Sequence, residues 1–382
     1  MYGAIKAHKE NYPMRIIVST FGTPLYELSH YLVNLIQPTL DKNEIRIKNS
    51  NAFVEKAKNW QISQNEVQVS FDVVNLYPSV PLAEATEIIV NILHNDDELR
   101  NRTKLTIDEI KALIQLCLSK CYFLWNDTMY ELENSGPIGL SLMVVMAEAF
   151  LQHIEKQALS IALRNTPPIN IKSFLRYVDD SHARFENINQ VETFKSILNQ
   201  QHDNIKYTVE YEDDNKTLNF LDIKIINKKT GKYEYSVHRK KAITNIQVKS
   251  TSCHDPKTIN GIFKGFVYRA LTICSDNYVD LEMQFLVDVF VENGYDRLHL
   301  KKMVNEMKCK LTNNSSTTII NDDNTSKIIT LPWIPKLSPK LRKCYKKAGY
   351  KTVFKSGPNL KRLLTSRNKS RLPKIANQVF TN

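Results

Sequence analysis

The chain has no run of apolar residues close to the roughly 20 that a membrane-crossing helix requires. Its opening residues, Met1-Tyr2-Gly3-Ala4-Ile5-Lys6, lack the apolar core of a signal peptide. Cysteine is sparse and scattered: Cys117, Cys121, Cys253, Cys274, Cys309 and Cys344. Only Cys117 and Cys121 lie close together, and a spacing of four suits one helix face better than a zinc knuckle. Reduced thiols in an intracellular protein are the expectation. No histidine-rich metal site is present, which disfavours many nuclease types. Acidic residues are missing from 331–382, a stretch with 14 Lys and Arg. That leaves 38 of the 52 basic residues to face all 40 acidic ones, so the net charge of +12 sits entirely in the tail. Such a block is either a solvated arm or a contact for a nucleic-acid backbone, where affinity would fall steeply with salt.

What is present describes a globular protein. A length of 382 residues, 42% hydrophobic and 24% charged, allows a large core in two or three domains. Within it, Phe174-Leu-Arg-Tyr-Val-Asp-Asp-Ser-His-Ala-Arg-Phe185 alternates apolar and polar residues on both sides of an Asp-Asp pair. That pattern predicts two short strands joined by a tight turn. Adjacent carboxylates at a hairpin tip repel unless a cation sits among them, and Mg2+ takes such oxygen ligands together with phosphates. Earlier, Val69-Ser-Phe-Asp-Val-Val-Asn-Leu-Tyr-Pro-Ser-Val-Pro81 predicts a strand that ends in Asp72 and enters a Pro-bounded loop. One Asp at a strand end plus a hairpin pair is the carboxylate set that holds two metal ions roughly 3.5–4 Å apart for in-line phosphoryl transfer.

Phe71–Pro81 resembles motif A of the reverse transcriptases, and Tyr177–Asp180 resembles their Tyr-x-Asp-Asp motif C. The whole pattern is most similar to the Penelope-like retroelement enzymes, which are related to telomerase catalytic subunits. It covers nearly the whole chain with its motifs in order. The resemblance implies an α+β right-hand polymerase fold. Fingers and palm, with an antiparallel sheet and the Asp-Asp hairpin, would occupy 1–240. A helical thumb would follow at 241–311, then a polar linker at 312–330 and a basic segment at 331–382. The implied activity is RNA-directed DNA polymerisation, with an RNA template, a DNA primer, deoxynucleoside triphosphates and two Mg2+ ions, or Mn2+ in their place. A nuclear site would suit such an enzyme.

Roles carried over by the resemblance fall on particular positions. Asp72 and Asp179 would hold both ions, with Asp180 a weaker ligand and the Val73 carbonyl an extra one. Arg15, and after it Lys6, would grip the triphosphate; the bland alternative is an exposed basic hairpin. Tyr77 would lie under the sugar and exclude a 2′-hydroxyl, or else simply close the core beneath a Pro turn. Gly136 and Gly139, in Ser135-Gly-Pro-Ile-Gly-Leu-Ser-Leu142, would let backbone approach the nascent base pair. Ile138 and Leu140 depart from the wider motif B pattern there. Lys216 is a candidate acid for the leaving pyrophosphate, Asp222 reads as structural, and Lys240-Lys241 suits a primer-grip hairpin. Tyr268 and Arg269 are candidates to touch template–primer.

The remaining stretches predict elements only. Helices are expected over 24–40, 51–60, 83–93, 107–120, 188–201, 259–274, 281–290 and 337–348, and a long apolar helix opened by the 135–142 stretch is expected to run to about 161. Strands are expected near 14–19, at 121–125 and 129–133 as a hairpin, and at 206–212, 217–226 and 233–239. No GIY-YIG motif pair is found, so target-site nicking is not assigned. The family's chains normally begin earlier, which makes Met1 a secondary start or a fragment boundary. Two rival readings stay open: a truncated, inactive nucleic-acid-binding relic, and a two-metal nuclease. The nuclease leaves Tyr77, the glycine pair and the basic strand without a role.

Overall fold

A computed structural model describes residues 2–5, 14–17, 20–119, 121–125, 128–132, 139–228, 231–240, 243–312, 327–334 and 336–355. The chain forms two compact units, one of Met1–Thr244 with Thr272–Val279, the other of Asn245–Leu271 with Asp280–Asn382.

The first unit begins with the antiparallel pair β1 (Tyr2–Ile5) and β2 (Met14–Ile17). Helix α1 (Pro24–Leu40) starts on a proline, whose fixed φ suits a first helical position. Its Leu32, Leu35, Ile36 and Leu40 are buried, as their three- and four-residue spacing requires. Helix α2 (Ser50–Ala57) is capped by Asn49, which accepts from the Ala52 N–H at 2.9 Å. Strand β3 (Val67–Val73) leads through α3 (Leu76–Ser79) to α4 (Leu82–His94) and α5 (Leu99–Arg102). Helix α6 (Ile107–Leu118) opens on a reciprocal capping box between Thr106 and Glu109. Strands β4 (Cys121–Trp125) and β5 (Thr128–Leu132) pair, and α7 (Ser141–Arg164) follows. Then come β6 (Ile171–Tyr177), β7 (Asp180–Phe185), α8 (Asn189–Gln200), β8 (Tyr207–Tyr211), β9 (Thr217–Phe220), β10 (Ile223–Asn227) and β11 (Tyr233–Val237).

The main sheet has the order β6-β7-β3-β8, antiparallel throughout. Successive side chains point to opposite faces. Phe71 and Phe185 face the helices, and Phe194 of α8 meets them at 6.0 and 5.6 Å between ring centroids. Helix α7 joins this core through Leu142, Met146, Phe150 and Ile154, all buried. The opposite face carries Leu175 and His182, which pack with Phe53, Trp60 and the buried Phe220, Ile223 and Ile225 of the second sheet, β11-β10-β9. The sequence predicts one strand over 217–226. The structure breaks it after Phe220, where Leu221 takes a positive φ of 56° and the chain turns back as a hairpin. Arg184 of β7 fastens the two sheets together. Its guanidinium lies 4.4 Å from the Trp60 ring centroid and pairs with Glu66 at 2.5 Å, while the Tyr233 hydroxyl donates to the same carboxylate at 2.9 Å.

The second unit contains α9 (Pro256–Ile273, whose last two residues belong to the first unit), α10 (Asp276–Glu292) and α11 (Arg297–Thr312). Phe290 is its aromatic hub, 4.9 Å from Phe263 and 5.0 Å from Tyr295. The basic region then folds as β12 (Lys327–Pro332), α12 (Ser338–Lys347) and β13 (Tyr350–Lys355), with β12 and β13 parallel. Strand β12 takes the last residues of the stretch read as linker; the remainder, 313–326, lies outside the described residues.

Candidate active site

Three carboxylates gather at one end of the main sheet. Asp72, next to last in β3, stands directly opposite Asp180, the first residue of β7. Side chains of such directly paired residues share a face, with Cβ atoms about 5 Å apart. Asp179 occupies the two-residue turn from β6 to β7, and its carbonyl accepts from the Val73 N–H at 3.2 Å. The turn is thus stitched to the strand that bears Asp72. Burial pushes the Asp180 carboxyl up to about 6, and the neighbouring charges of Asp179 and Asp72 push the same way. Lys240 opposes this and Glu210 of β8 adds to it. The Thr208 hydroxyl donates to the Asp72 carbonyl at 3.3 Å, which fixes that strand end from the other side.

The turn itself is held in a costly shape. Val178 has a φ of 57°, in the left-handed region that β-branched residues rarely adopt. Such a residue persists only where its surroundings over-determine it. The agent here is Arg176, whose side chain is fully buried on the helix side of β6. Its guanidinium donates to the Val178 carbonyl at 3.0 Å, to both carboxylate oxygens of Glu148 at 2.9 Å, and to Glu155 at 2.8 Å. Both glutamates belong to α7 and lie two turns apart. Burial opposes ionisation of Glu148, but Arg176 holds it below the usual carboxylate range. Burial wins at Glu155 and pushes its carboxyl up. The backbone of Arg176 is pinned as well, to Ile45 and Ile47 at 2.9 Å each. Motif comparison does not single out this residue. The available signal was a pair of glutamates seven apart, on the face of α7 that its apolar residues share.

The other predicted residues are distributed as follows. Arg15 lies in β2 with its backbone opposite Ala4, and its side chain falls outside the described residues. Lys6, Gly136 and Lys241 also fall outside them. Gly139 has a φ of 129°, which suits glycine, and its carbonyl accepts from the Thr20 hydroxyl at 3.2 Å just before α7 begins. Val73 is buried, and Tyr77 is half-buried on α3 against the main core. Lys216 pairs with Glu212 at 2.9 Å, and Asp222 accepts from Ser50.

Among the described residues, no group of three or more His, Cys, Asp or Glu is arranged so that it could hold a metal ion. Mg2+ is usually held by one or two carboxylates, with water and substrate phosphates completing its shell. Asp72, Asp179 and Asp180 concentrate negative charge that a divalent cation would relieve. Among the described residues, no helix is long and apolar enough to cross a membrane.

Comparison with known proteins agrees with this architecture. A family model described as an animal helix-turn-helix domain matches residues 246–304, a minor part of the chain. No curated protein matches. Among solved structures, a telomerase from Candida albicans in complex with a TWJ fragment of telomeric RNA is similar over 76% of this chain, with a TM-score of 0.51 and 14% identity. The match covers 47% of the telomerase chain, so this chain spans about half the length of that protein. A BmCPV RNA-dependent RNA polymerase at its elongation state aligns over 77% of this chain and 25% of its own, at a TM-score of 0.47 and 12% identity. At these identities the likeness to the telomerase is one of fold: a mixed helix-and-sheet, reverse-transcriptase-like architecture.

Proposed function

We propose that the chain is a template-directed nucleotidyltransferase of the reverse-transcriptase type, adding deoxynucleotides to a primer 3′-hydroxyl on an RNA template in a Penelope-like retroelement. The observation that carries this reading is the register that sets Asp72 opposite Asp180 with Asp179 in the adjoining turn. On it, the main sheet is the palm, β1 and β2 belong to the fingers, and α9–α11 form the thumb.

Asp72 and Asp179 would hold two Mg2+ ions, with Asp180 and the Val73 carbonyl beside them. Such ions, when bound, activate the attacking hydroxyl and neutralise the triphosphate and leaving pyrophosphate. The chain's own contribution is placement. Arg176 and the Val73 N–H fix the Asp179 turn, so the carboxylates are oriented before substrate arrives. A fixed array acts on the transition state without reorganising, which is where most of the rate in phosphoryl transfer originates. Arg15 and Lys6 would take the triphosphate, Tyr77 would exclude a 2′-hydroxyl, and Gly136 and Gly139 would admit the nascent pair.

Primer extension on poly(rA) with oligo(dT), dTTP and Mg2+ or Mn2+ tests the proposal. The wild type extends the primer, and Asp179→Asn, which keeps the shape of the side chain, loses about 10³-fold in rate or more. Equal extension by both proteins would remove Asp179 from the chemistry. Binding of template–primer without extension by either would leave a nucleic-acid-binding protein rather than a polymerase.

A further inference from the structure

We infer that the β12–α12–β13 unit is a second nucleic-acid contact, one that grips the phosphate backbone of a duplex without reading its bases. The inference concerns a surface remote in sequence from the carboxylates and goes beyond the polymerase reading. Residues 327–355 contain nine Lys and Arg and no Asp or Glu. Folding sorts these charges. Ser338, Leu341, Arg342 and Tyr345 recur at the spacing of one helix face, and this face is turned inward. Arg342 is consumed there: its guanidinium lies 4.8 Å from the Phe354 ring centroid and pairs with Asp255 at 2.9 Å, anchoring α12 to the start of α9. Lys340, Lys343 and Lys347 form a stripe on the outer face, with Lys346 beside it, and all four are exposed. The stripe is about 10 Å long at 1.5 Å per residue.

The same sorting decides what kind of nucleic acid suits the surface. Proteins that hold single strands combine charge with aromatic rings offered to the bases. Here the rings are half-buried against one another: Trp333 packs edge-on against Phe354 at 5.3 Å, and Tyr345 against Tyr350 at 6.3 Å. The outer face of α12 is left with its exposed lysines, and the exposed apolar side chains of the unit, Ile328, Ile334, Leu337 and Val353, include no aromatic ring. Lysine is a compact, hydrated point charge without the planar fork of arginine. A row of such charges matches the denser phosphate array of a duplex, and each neutralised phosphate releases bound counterion.

The test uses the full chain in EDTA without nucleotides, so it does not depend on polymerase activity. Binding to a blunt-ended DNA duplex is titrated by fluorescence anisotropy over a series of NaCl concentrations. The comparison is with Lys340→Gln/Lys343→Gln/Lys346→Gln/Lys347→Gln. The slope of log Kobs against log salt becomes shallower by roughly 3 to 4, at about 0.9 per phosphate contact. Two duplexes of unrelated sequence give the same change, and a Lys→Arg version of the four restores the slope. An unchanged slope would overturn the inference, as would an effect confined to one sequence. So would Lys→Arg failing to restore binding, which would mean the lysines serve the fold. Binding of phosphatidylserine vesicles in place of duplex would reassign the face to a membrane surface.

Discussion

At Arg176, four hydrogen bonds converge on one buried guanidinium. Removing a buried charge while its partners remain costs about 3–5 kcal/mol, because the partner is left unpaired. Arg176→Met should therefore lower the urea midpoint sharply. Arg176→Met/Glu148→Met/Glu155→Met should recover most of that loss, since well-packed apolar groups of similar volume often replace a buried ion cluster at little cost. Extension activity should stay low in the triple variant, because the Val178 carbonyl has lost its donor. Recovery of activity along with stability would show that the cluster serves packing alone. Asp96 makes a separate prediction about acid. Burial opposes its ionisation, but Thr39, Lys42, the Glu98 N–H and Arg102 hold its carboxyl well below the usual range. A depressed carboxyl stabilises the fold above its unfolded pKa of about 4, and that stability drains away as pH falls through the folded value. Melting temperature should thus decline below about pH 4, and Asp96→Asn should be less stable at pH 7 while showing a flatter decline.

Between elements, the joint of the two sheets is the place to measure. Tyr233→Phe removes one donor from Glu66 and leaves Arg184 as its charged partner. A loss of about 1–3 kcal/mol in urea unfolding is expected, and no loss would mean that the stacked Trp60 and Arg184 hold the joint unaided. Much at this scale was legible beforehand. Helix α1 matches its predicted 24–40, because the apolar spacing and the leading proline agree. Strands β3 and β7 alternate cleanly, so the face that bears Asp72 and Asp180 follows from counting by twos. Leu221 hid the β9–β10 turn, since a leucine at positive φ looks like strand. The β12–β13 pair was hidden for another reason: parallel strands joined across a helix carry no local turn signal. Arg176 escaped notice because its carboxylate partners lie 21 and 28 residues back along the chain.

For the whole molecule, the sign of the charge depends on the C-terminal region. Fifteen of the 52 Lys and Arg lie from Lys327 onward, so a chain ended at Ser326 keeps 37 against all 40 Asp and Glu. The intact protein, with a pI near 9.2, should bind a cation exchanger at pH 7. The shortened one should flow through, and its attraction to any polyanion should weaken accordingly. Retention of the shortened chain would mean that a local patch in the rest of the molecule is strong enough to override net charge.

Helix α7 also acts as a strut. It begins at Ser141, two residues after Gly139, and two of its glutamates clamp the arginine that donates to the Val178 carbonyl of the turn. Packed interiors have low compressibility and transmit strain. A substitution that displaces the start of α7 should therefore be felt at the Val178–Asp179 turn as well.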